Sequence, residues 1–133
     1  AYKTSIERAR ASEAVTMLGA IQAAQQKHFV NYEEYGTTFR DINDFEPAIK
    51  NFDASQSIFF TDYFKYELST SDEKNRVTAT RVDSNHLPLN KGYSLVAGYN
   101  EGFIRCNVTN DDGDKVCSSL TDKEKIDNHY RIF

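Results

Sequence analysis

Residues 7–29 of the chain read ERARASEAVTMLGAIQAAQQKHF and contain no proline and a single glycine, Gly19. The residue types that dominate this stretch (Ala, Glu, Gln, Arg, Met, Leu and Lys) all favour the helical state. Thr4 and Glu7 have the three-residue spacing of a capping box. We therefore predict one helix over about residues 3–32. At 1.5 Å per residue such a helix is roughly 40 Å long, so it either protrudes from a domain of this size or forms its spine.

The predicted helix has faces of different composition. Apolar side chains at spacings of three, four and seven predict a face that packs on a core, formed by Ala14, Leu18, Ile21, Phe29 and Tyr32. Small or weakly polar side chains lie on a flank that is either covered by a loop or packed against a second helix, since small residues let helix axes approach closely. The candidate helix-packing residues are Ala9, Glu13, Met17, Ala20, Ile21 and Ala24. Glu7 and Arg10 have the i,i+3 spacing of a charge pair on a solvated face.

Composition predicts one folded domain over residues 1–133. The hydrophobic fraction of 39% and the aromatic fraction of 13% are typical of a chain that buries a core. The net charge is −4 and the basic residues are scattered, which argues against nucleic acid as the main partner because phosphate binding needs concentrated Lys and Arg. Scattered Lys and Arg residues can still come together in the fold as a local basic patch, and the sequence does not decide this.

The rest of the chain predicts a long connection followed by a sheet. Residues 33–62 contain helix breakers, and we expect their spaced apolar side chains to pack the connection: Phe39, Ile42, Phe45, Ile49, Phe52, Ile58, Phe59 and Phe60. Alternating patterns predict four antiparallel strands over residues 63–69, 76–82, 92–98 and 103–108. One helix packed on such a sheet gives an α+β roll. We expect the tail, residues 121–133, to dock as a helical turn rather than as a short strand.

Several of these residues also resemble a known family. The run Ile6-Glu7-Arg8-Ala9-Arg10-Ala11-Ser12-Glu13-Ala14, followed by Leu18, Ile21, Ala24-Gln25 and Phe29, is similar to the C-terminal half of the first helix of type IV pilins of the type IVa kind. The continuation NYEEYGTTFRDINDF resembles the helix exit of that family. The likeness covers about residues 5–45, and the pseudopilins of type II secretion systems are close relatives. In the family an apolar half-helix precedes this region; the chain has no apolar run of 18 residues, so we expect that segment to have been removed.

The resemblance implies a pilin-like roll and a structural role. The chain would polymerise with itself through its first helices into a surface fibre for adhesion, twitching motility or uptake. Its precursor would be held in the inner membrane by the apolar segment and handled there by the pilus or secretion assembly machinery. One alternative is a pseudopilin of type II secretion, stabilised by calcium. A second alternative is a stand-alone extracytoplasmic module that binds a ligand with the aromatic residues of the connection.

The resemblance also implies a disulfide between Cys106 and Cys117, which would close a C-terminal loop in an oxidising compartment. Two free thiols of a reducing compartment are the alternative. The spacing of Cys106 and Cys117 does not fit a C-x-x-C redox motif. Within the loop, Asp111, Asp112 and Asp114 are weak candidates for calcium ligands; we favour a solvated turn, because position 121 is Thr121 and not the Glu that ends a calcium loop.

Catalytic motifs are missing from the sequence. His28, His86 and His129 lie far apart, and the chain has no H-E-x-x-H, G-x-S-x-G or glycine-rich phosphate loop. We therefore expect neither an enzyme nor a cofactor or metal.

Overall fold

A computed structural model describes residues 2–42, 56–71, 74–100 and 102–132. It combines helices with one antiparallel sheet, in which each strand pairs with the next strand along the chain. The elements are α1 (Tyr2–Tyr32), β1 (Ile58–Phe60), β2 (Phe64–Ser71), β3 (Lys74–Arg81), β4 (Tyr93–Gly98), β5 (Ile104–Val108), α2 (Asp111–Ser119) and β6 (His129–Arg131). The α+β class and the long N-terminal helix are thus confirmed.

The sheet has six strands, so the prediction of four was wrong. The four predicted segments correspond to β2, β3, β4 and β5, with ends shifted by at most two residues. Strand β1 lies in the predicted connection and pairs with β2, where Phe59 faces Tyr66. Strand β6 lies in the tail predicted to be a helical turn and pairs with β5, where Tyr130 faces Cys106. Each added strand is three residues long, which is too short for an alternating pattern to be recognised.

Helix α1 packs on one face of the sheet through a regular stripe. The stripe consists of residues at alternating spacings of four and three, all of them buried: Glu7, Ala11, Ala14, Leu18, Ile21 and Gln25. Burial of Ala14, Leu18 and Ile21 was predicted. Burial of Phe29 and Tyr32 was not correctly predicted, because they are 42% and 67% exposed. Both lie at the angle of the stripe but beyond Gln25, its last buried residue, and the ring of Phe29 contacts that of Tyr35.

The face of the sheet that meets the helices, here called the inner face, carries the core. One row of directly opposed residues crosses all six strands on this face: Phe59, Tyr66, Ala79, Leu95, Cys106 and Tyr130. All six are buried. Helix α1 contacts β3, β4 and β5, whereas α2 contacts β4, β5 and β6. The two helices therefore cover the inner face over β3 to β6, and Phe39 of the connection packs on Phe59 of β1.

A disulfide joins Cys106 of β5 to Cys117, with the two Cα atoms 5.5 Å apart, as the pilin resemblance implied. The segment that it closes is not the predicted polar turn. It contains α2, whose N-cap Asn110 accepts a hydrogen bond from the Gly113 amide at 2.9 Å. Acidic residues in the first turn also favour a helix through its dipole. The Asn-Asp-Asp run that we read as a turn is therefore the start of a helix.

Close packing of α2 on the sheet depends on Gly113. A Cβ added there would lie 1.7 Å from the carbonyl oxygen of Gly92, which itself has a φ of +84°. We expect Gly113→Ala to lower the free energy of unfolding by about 1–3 kcal/mol, as overpacking does. The matched control is Gly19→Ala in α1, where nothing lies within 4 Å of the added Cβ. That variant should be stabilised by about 0.5–1 kcal/mol. Urea unfolding followed by circular dichroism measures both; equal stability of the two variants would contradict this packing.

Candidate assembly surface on the first helix

The side of α1 opposite the buried stripe is lined by small residues. We call it the small-residue face: Ser5, Ala9, Ser12, Thr16, Gly19, Ala20 and Ala23. Six of these residues are exposed, and Gly19 is half-buried. Their spacings of three and four keep them in one line along about five turns of helix. Such a surface lets another helix approach to a short interaxial distance.

The small-residue face shares Ala9 and Ala20 with the flank proposed from the sequence and is otherwise rotated away from it. Ala9, Glu13 and Ala20 are exposed, whereas Met17 and Ala24 are half-buried. Ile21 is fully buried in the core and does not reach the surface. The sequence analysis did not single out the serines, Thr16 or Ala23. They lie about 180° around the helix from Leu18, so the position of the buried stripe would have located them.

Exposed apolar side chains concentrate on the same helix. Among the described residues, seven large hydrophobic side chains are exposed, and four of them belong to α1. Ile6 lies near its start, and Phe29, Val30 and Tyr32 lie in its last turns; Val30 is 81% exposed. Clustered exposed apolar surface marks contact sites, whereas isolated residues do not. The last turns of α1, which hold three of these four residues, therefore carry apolar surface suited to a partner.

A buried charge cluster fixes the N-terminal part of α1 on the sheet. The carboxylate of Glu7 accepts two hydrogen bonds from Arg81, from Nε at 2.6 Å and from Nη2 at 3.0 Å. The hydroxyl of Tyr93 donates a third, to Oε2 of Glu7. Arg81 is only 2% exposed, and its Nη1 donates to the carbonyls of Tyr63 and Val82. A bidentate, fully hydrogen-bonded pair of this kind sets both position and orientation.

The pKa values within this cluster follow from its geometry. Burial raises the pKa of Glu7, but the hydrogen bonds from Arg81 and Tyr93 outweigh it and hold the pKa below the usual value of 4.5. Burial and the neighbouring carboxylate raise the pKa of Tyr93, so its hydroxyl stays protonated and donates. Glu7 had been assigned to a solvated pair with Arg10; it is instead 8% exposed, and Arg10 Nη1 lies 3.9 Å from it. The signal that we missed was Arg81 itself, which follows Val77 and Ala79 on the inner face of β3.

Three glutamines fix the C-terminal part of α1. Gln22 donates to the carbonyl of Gly98 at 2.7 Å, and Gln26 donates to that of Tyr99 at 3.0 Å. Both carbonyls lie at the end of β4. The buried Gln25 exchanges two hydrogen bonds of 2.8 Å with the backbone of Gly36, in the chain that leaves the helix. Side-chain amides thus satisfy loop groups that the sheet leaves unpaired.

The acidic candidates lie at the start of α2. Asp111 and Asp112 are exposed, whereas Asp114 accepts a hydrogen bond from the Tyr130 hydroxyl and pairs with Lys125, each at 3.0 Å. The hydrogen bonds from Lys125 and Tyr130 lower the pKa of Asp114. Within the described ranges, no group of three or more His, Cys, Asp and Glu side chains could hold a metal ion. A cation at Asp114 would have to displace the ammonium group of Lys125.

The histidines and the aromatic residues of the connection occupy separate places. His28 lies on α1 and contacts Tyr32, His86 stacks on Phe60, and His129 belongs to β6. Phe39, Ile42 and Phe59 are buried in the core, and Ile58 and Phe60 are half-buried. Phe45, Ile49 and Phe52 lie outside the described residues. In the part of the connection that is described, the apolar side chains therefore pack the fold rather than line an open groove.

Comparisons with known proteins found no relative of this chain. No family model, no curated protein and no solved structure matches the chain. Across the helices that are described, none is both long and apolar enough to cross a bilayer.

Acid should weaken the attachment of α1 through Glu7. Because the folded-state pKa of Glu7 is lowered, its ionised form stabilises the fold above the usual value of 4.5, and this contribution is lost as the pH falls through the folded-state pKa. We expect Glu7→Gln to cost about 3–5 kcal/mol at pH 7, because it leaves Arg81 buried without its carboxylate. The difference from wild type should shrink as the pH approaches 3.

Urea unfolding over a pH series measures this difference. Glu13→Gln is the control, because Glu13 is an exposed glutamate on the same helix. A difference between wild type and Glu7→Gln that stays constant from pH 7 to pH 3 would refute the role of the ionised carboxylate.

Proposed function

We propose that this chain is the subunit of a type IV pilus-like fibre and assembles through α1. The observation that carries the proposal is the division of α1 into two faces: one stripe is buried on the sheet, and the opposite small-residue face is exposed over most of the helix. A helix that packs only on its own domain would more often carry large polar residues on its solvent side. A helix that also packs against other helices needs small residues there.

One exposed apolar residue extends this surface. Val30 follows Ala23 by seven residues, lies on the same side of α1 and is 81% exposed, so it would be removed from water when helices of neighbouring subunits pack side by side. The partner that fits is a second copy of α1, because the two faces are then complementary in size and apolar character. The resemblance of residues 5–45 to the first helix of type IV pilins supports the same arrangement. In this proposal, pilus assembly machinery in the inner membrane adds subunits one at a time.

The disulfide supports a location outside the cytoplasm. Disulfides persist in oxidising compartments such as the periplasm and the cell surface. The Cys106–Cys117 bond holds α2 against β5, next to the last strand of the sheet. A surface fibre used in adhesion, twitching motility or uptake is exposed to such conditions.

The alternatives receive less support from the described residues. A calcium-stabilised pseudopilin would use the acidic residues of α2, but Lys125 and Tyr130 already engage Asp114. A ligand-binding module would need exposed aromatic residues in the connection, whereas Phe39 and Phe59 are buried. The fibre subunit is therefore the function that the geometry favours.

Charges on the small-residue face should abolish fibre assembly. We expect Ala20→Glu and Ala23→Glu, made in the gene of the source cells, to leave the level of folded protein unchanged and to remove fibres from the cell surface. A buried, unpaired carboxylate between packed helices has a large desolvation cost. Electron microscopy counts the fibres, and immunoblotting measures the protein. Ser118→Glu is the control, because Ser118 is a small exposed residue on α2. Normal fibres made from Ala20→Glu subunits would refute assembly through this face.

A further inference from the structure

An open cleft lies beside the N-terminal part of α1, next to the stripe that packs on the sheet. Its volume is about 450 Å³, which falls within the range of roughly 300–1,000 Å³ that is usual for small-molecule sites. The walls come from α1, from the turn between β1 and β2, and from the loop that follows β3. The residues that line these walls include Arg10, Asp62, Tyr63, Asp83, His86 and Leu89.

Contacts within the chain hold the loop wall of the cleft in shape. The carboxylate of Asp83 accepts hydrogen bonds from the backbone amides of Asn85 at 2.8 Å and Leu87 at 3.0 Å. The ring of His86 stacks on that of Phe60, with the two ring centres 4.7 Å apart. Because these contacts need no ligand, the cleft is formed in advance, as binding sites for small molecules usually are.

Two groups of opposite charge line the cleft with hydrogen-bonding capacity to spare. The guanidinium of Arg10 lies 4.1 Å from the centre of the Tyr63 ring and 3.9 Å from the Glu7 carboxylate, which is beyond hydrogen-bond distance. The neighbouring Arg81 is already bound to Glu7 and to two carbonyls. The carboxylate of Asp62 is exposed and bonds no other group in the part of the chain that is described.

Exposed apolar side chains border the same cleft. Tyr63 is 36% exposed, and Leu87 in the loop wall is 59% exposed. Ile6, which is also 36% exposed, precedes Arg10 by one turn on the same side of α1. Three of the seven exposed large hydrophobic side chains in the described residues therefore lie around one concavity. Apolar surface that is clustered in this way marks a contact site.

We propose that this cleft binds a zwitterionic amino acid with an apolar side chain. Arg10 donates hydrogen bonds to the carboxylate of the ligand, and Asp62 accepts them from its ammonium group. The apolar side chain lies against Tyr63 and Leu87. Both signs of charge on one lining select a ligand that carries both: Asp62 and Asp83 repel an anion, and Arg10 repels a cation.

Three related compounds test which charges the cleft recognises. L-phenylalanine carries both charges, N-acetyl-L-phenylalanine lacks the ammonium group, and L-phenylalaninamide lacks the carboxylate. We expect phenylalanine to bind most tightly and each derivative about tenfold more weakly, because each loses one charge-assisted contact. Titration of the ¹⁵N-labelled 133-residue chain, followed by NMR, gives the three affinities. Saturable shifts should appear in the amide signals of residues 62–63 and 83–89.

Substitutions assign each charge of the ligand to its partner. Arg10→Gln should remove the preference for phenylalanine over its amide and keep the preference over the N-acetyl compound. Asp62→Asn should do the reverse, and a merely structural effect would not produce such a reciprocal pattern. Arg8→Gln is the control, because Arg8 is an exposed arginine on the same helix and the charge change is equal. Thermal unfolding checks the fold, and Arg10→Lys, which keeps the charge, should retain the preference for the carboxylate if Arg10→Gln unfolds.

Several results would overturn the proposal. One is the absence of saturable shifts at the cleft with phenylalanine, and another is equal binding of the three compounds. Tighter binding of the N-acetyl compound would assign the cleft to anions, and tighter binding of the amide would assign it to cations. Equal effects of Arg10→Gln and Arg8→Gln would also contradict it. The measurement uses the isolated chain, so its failure would leave the proposed fibre untouched.

Discussion

The packing of a single helical stripe on the inner face of the sheet is the constraint on which the rest of this structure depends. The stripe is apolar and narrow in the middle, where Ala11, Ala14 and Leu18 let α1 lie close to the strands. Its two ends are polar: Glu7 is held by Arg81 and Tyr93, and Gln25 is held by Gly36. Apolar burial stabilises the helix on the sheet, and the polar ends fix its rotation and its position along its own axis. The opposite face of α1 is therefore presented in a defined direction.

This fixed rotation connects the fold to the proposed function. If α1 could turn about its axis, the small-residue face would be partly buried, and large side chains would take its place at the surface. The charge pair costs desolvation energy that a pair of apolar residues would not cost, and its benefit is orientation rather than stability. The inner face of the sheet is used for folding, since α1 and α2 cover it over β3 to β6. Helix α1 thus has one face that packs on the sheet and an opposite face that is free for the proposed contact with other subunits.

The sequence predicted those parts of the fold that local patterns determine. The limits of α1 followed from its residue types, and β2 to β5 followed from alternation. Strands β1 and β6 were missed because three residues pair only where a neighbouring strand offers an edge. The exposure of Phe29 and Tyr32 was missed because periodicity gives the direction of a side chain and not the extent of the body beneath it. Glu7 was misread because its partner, Arg81, lies 74 residues away along the chain. The position of Arg105 beside Arg131 was not predicted because strand register alone brings the two residues together.

The central claim is that the exposed face of α1 lies between subunits of a fibre. Electron microscopy of fibres sheared from the source cells, with mass spectrometry of their main protein, tests it most directly. The account predicts that the main protein is this chain with its Cys106–Cys117 bond intact, and that the reconstructed fibre places Ser12, Thr16 and Ala20 against a helix of the neighbouring subunit. Fibres built from another protein, or fibres of this chain in which that face of α1 meets solvent, would contradict the account.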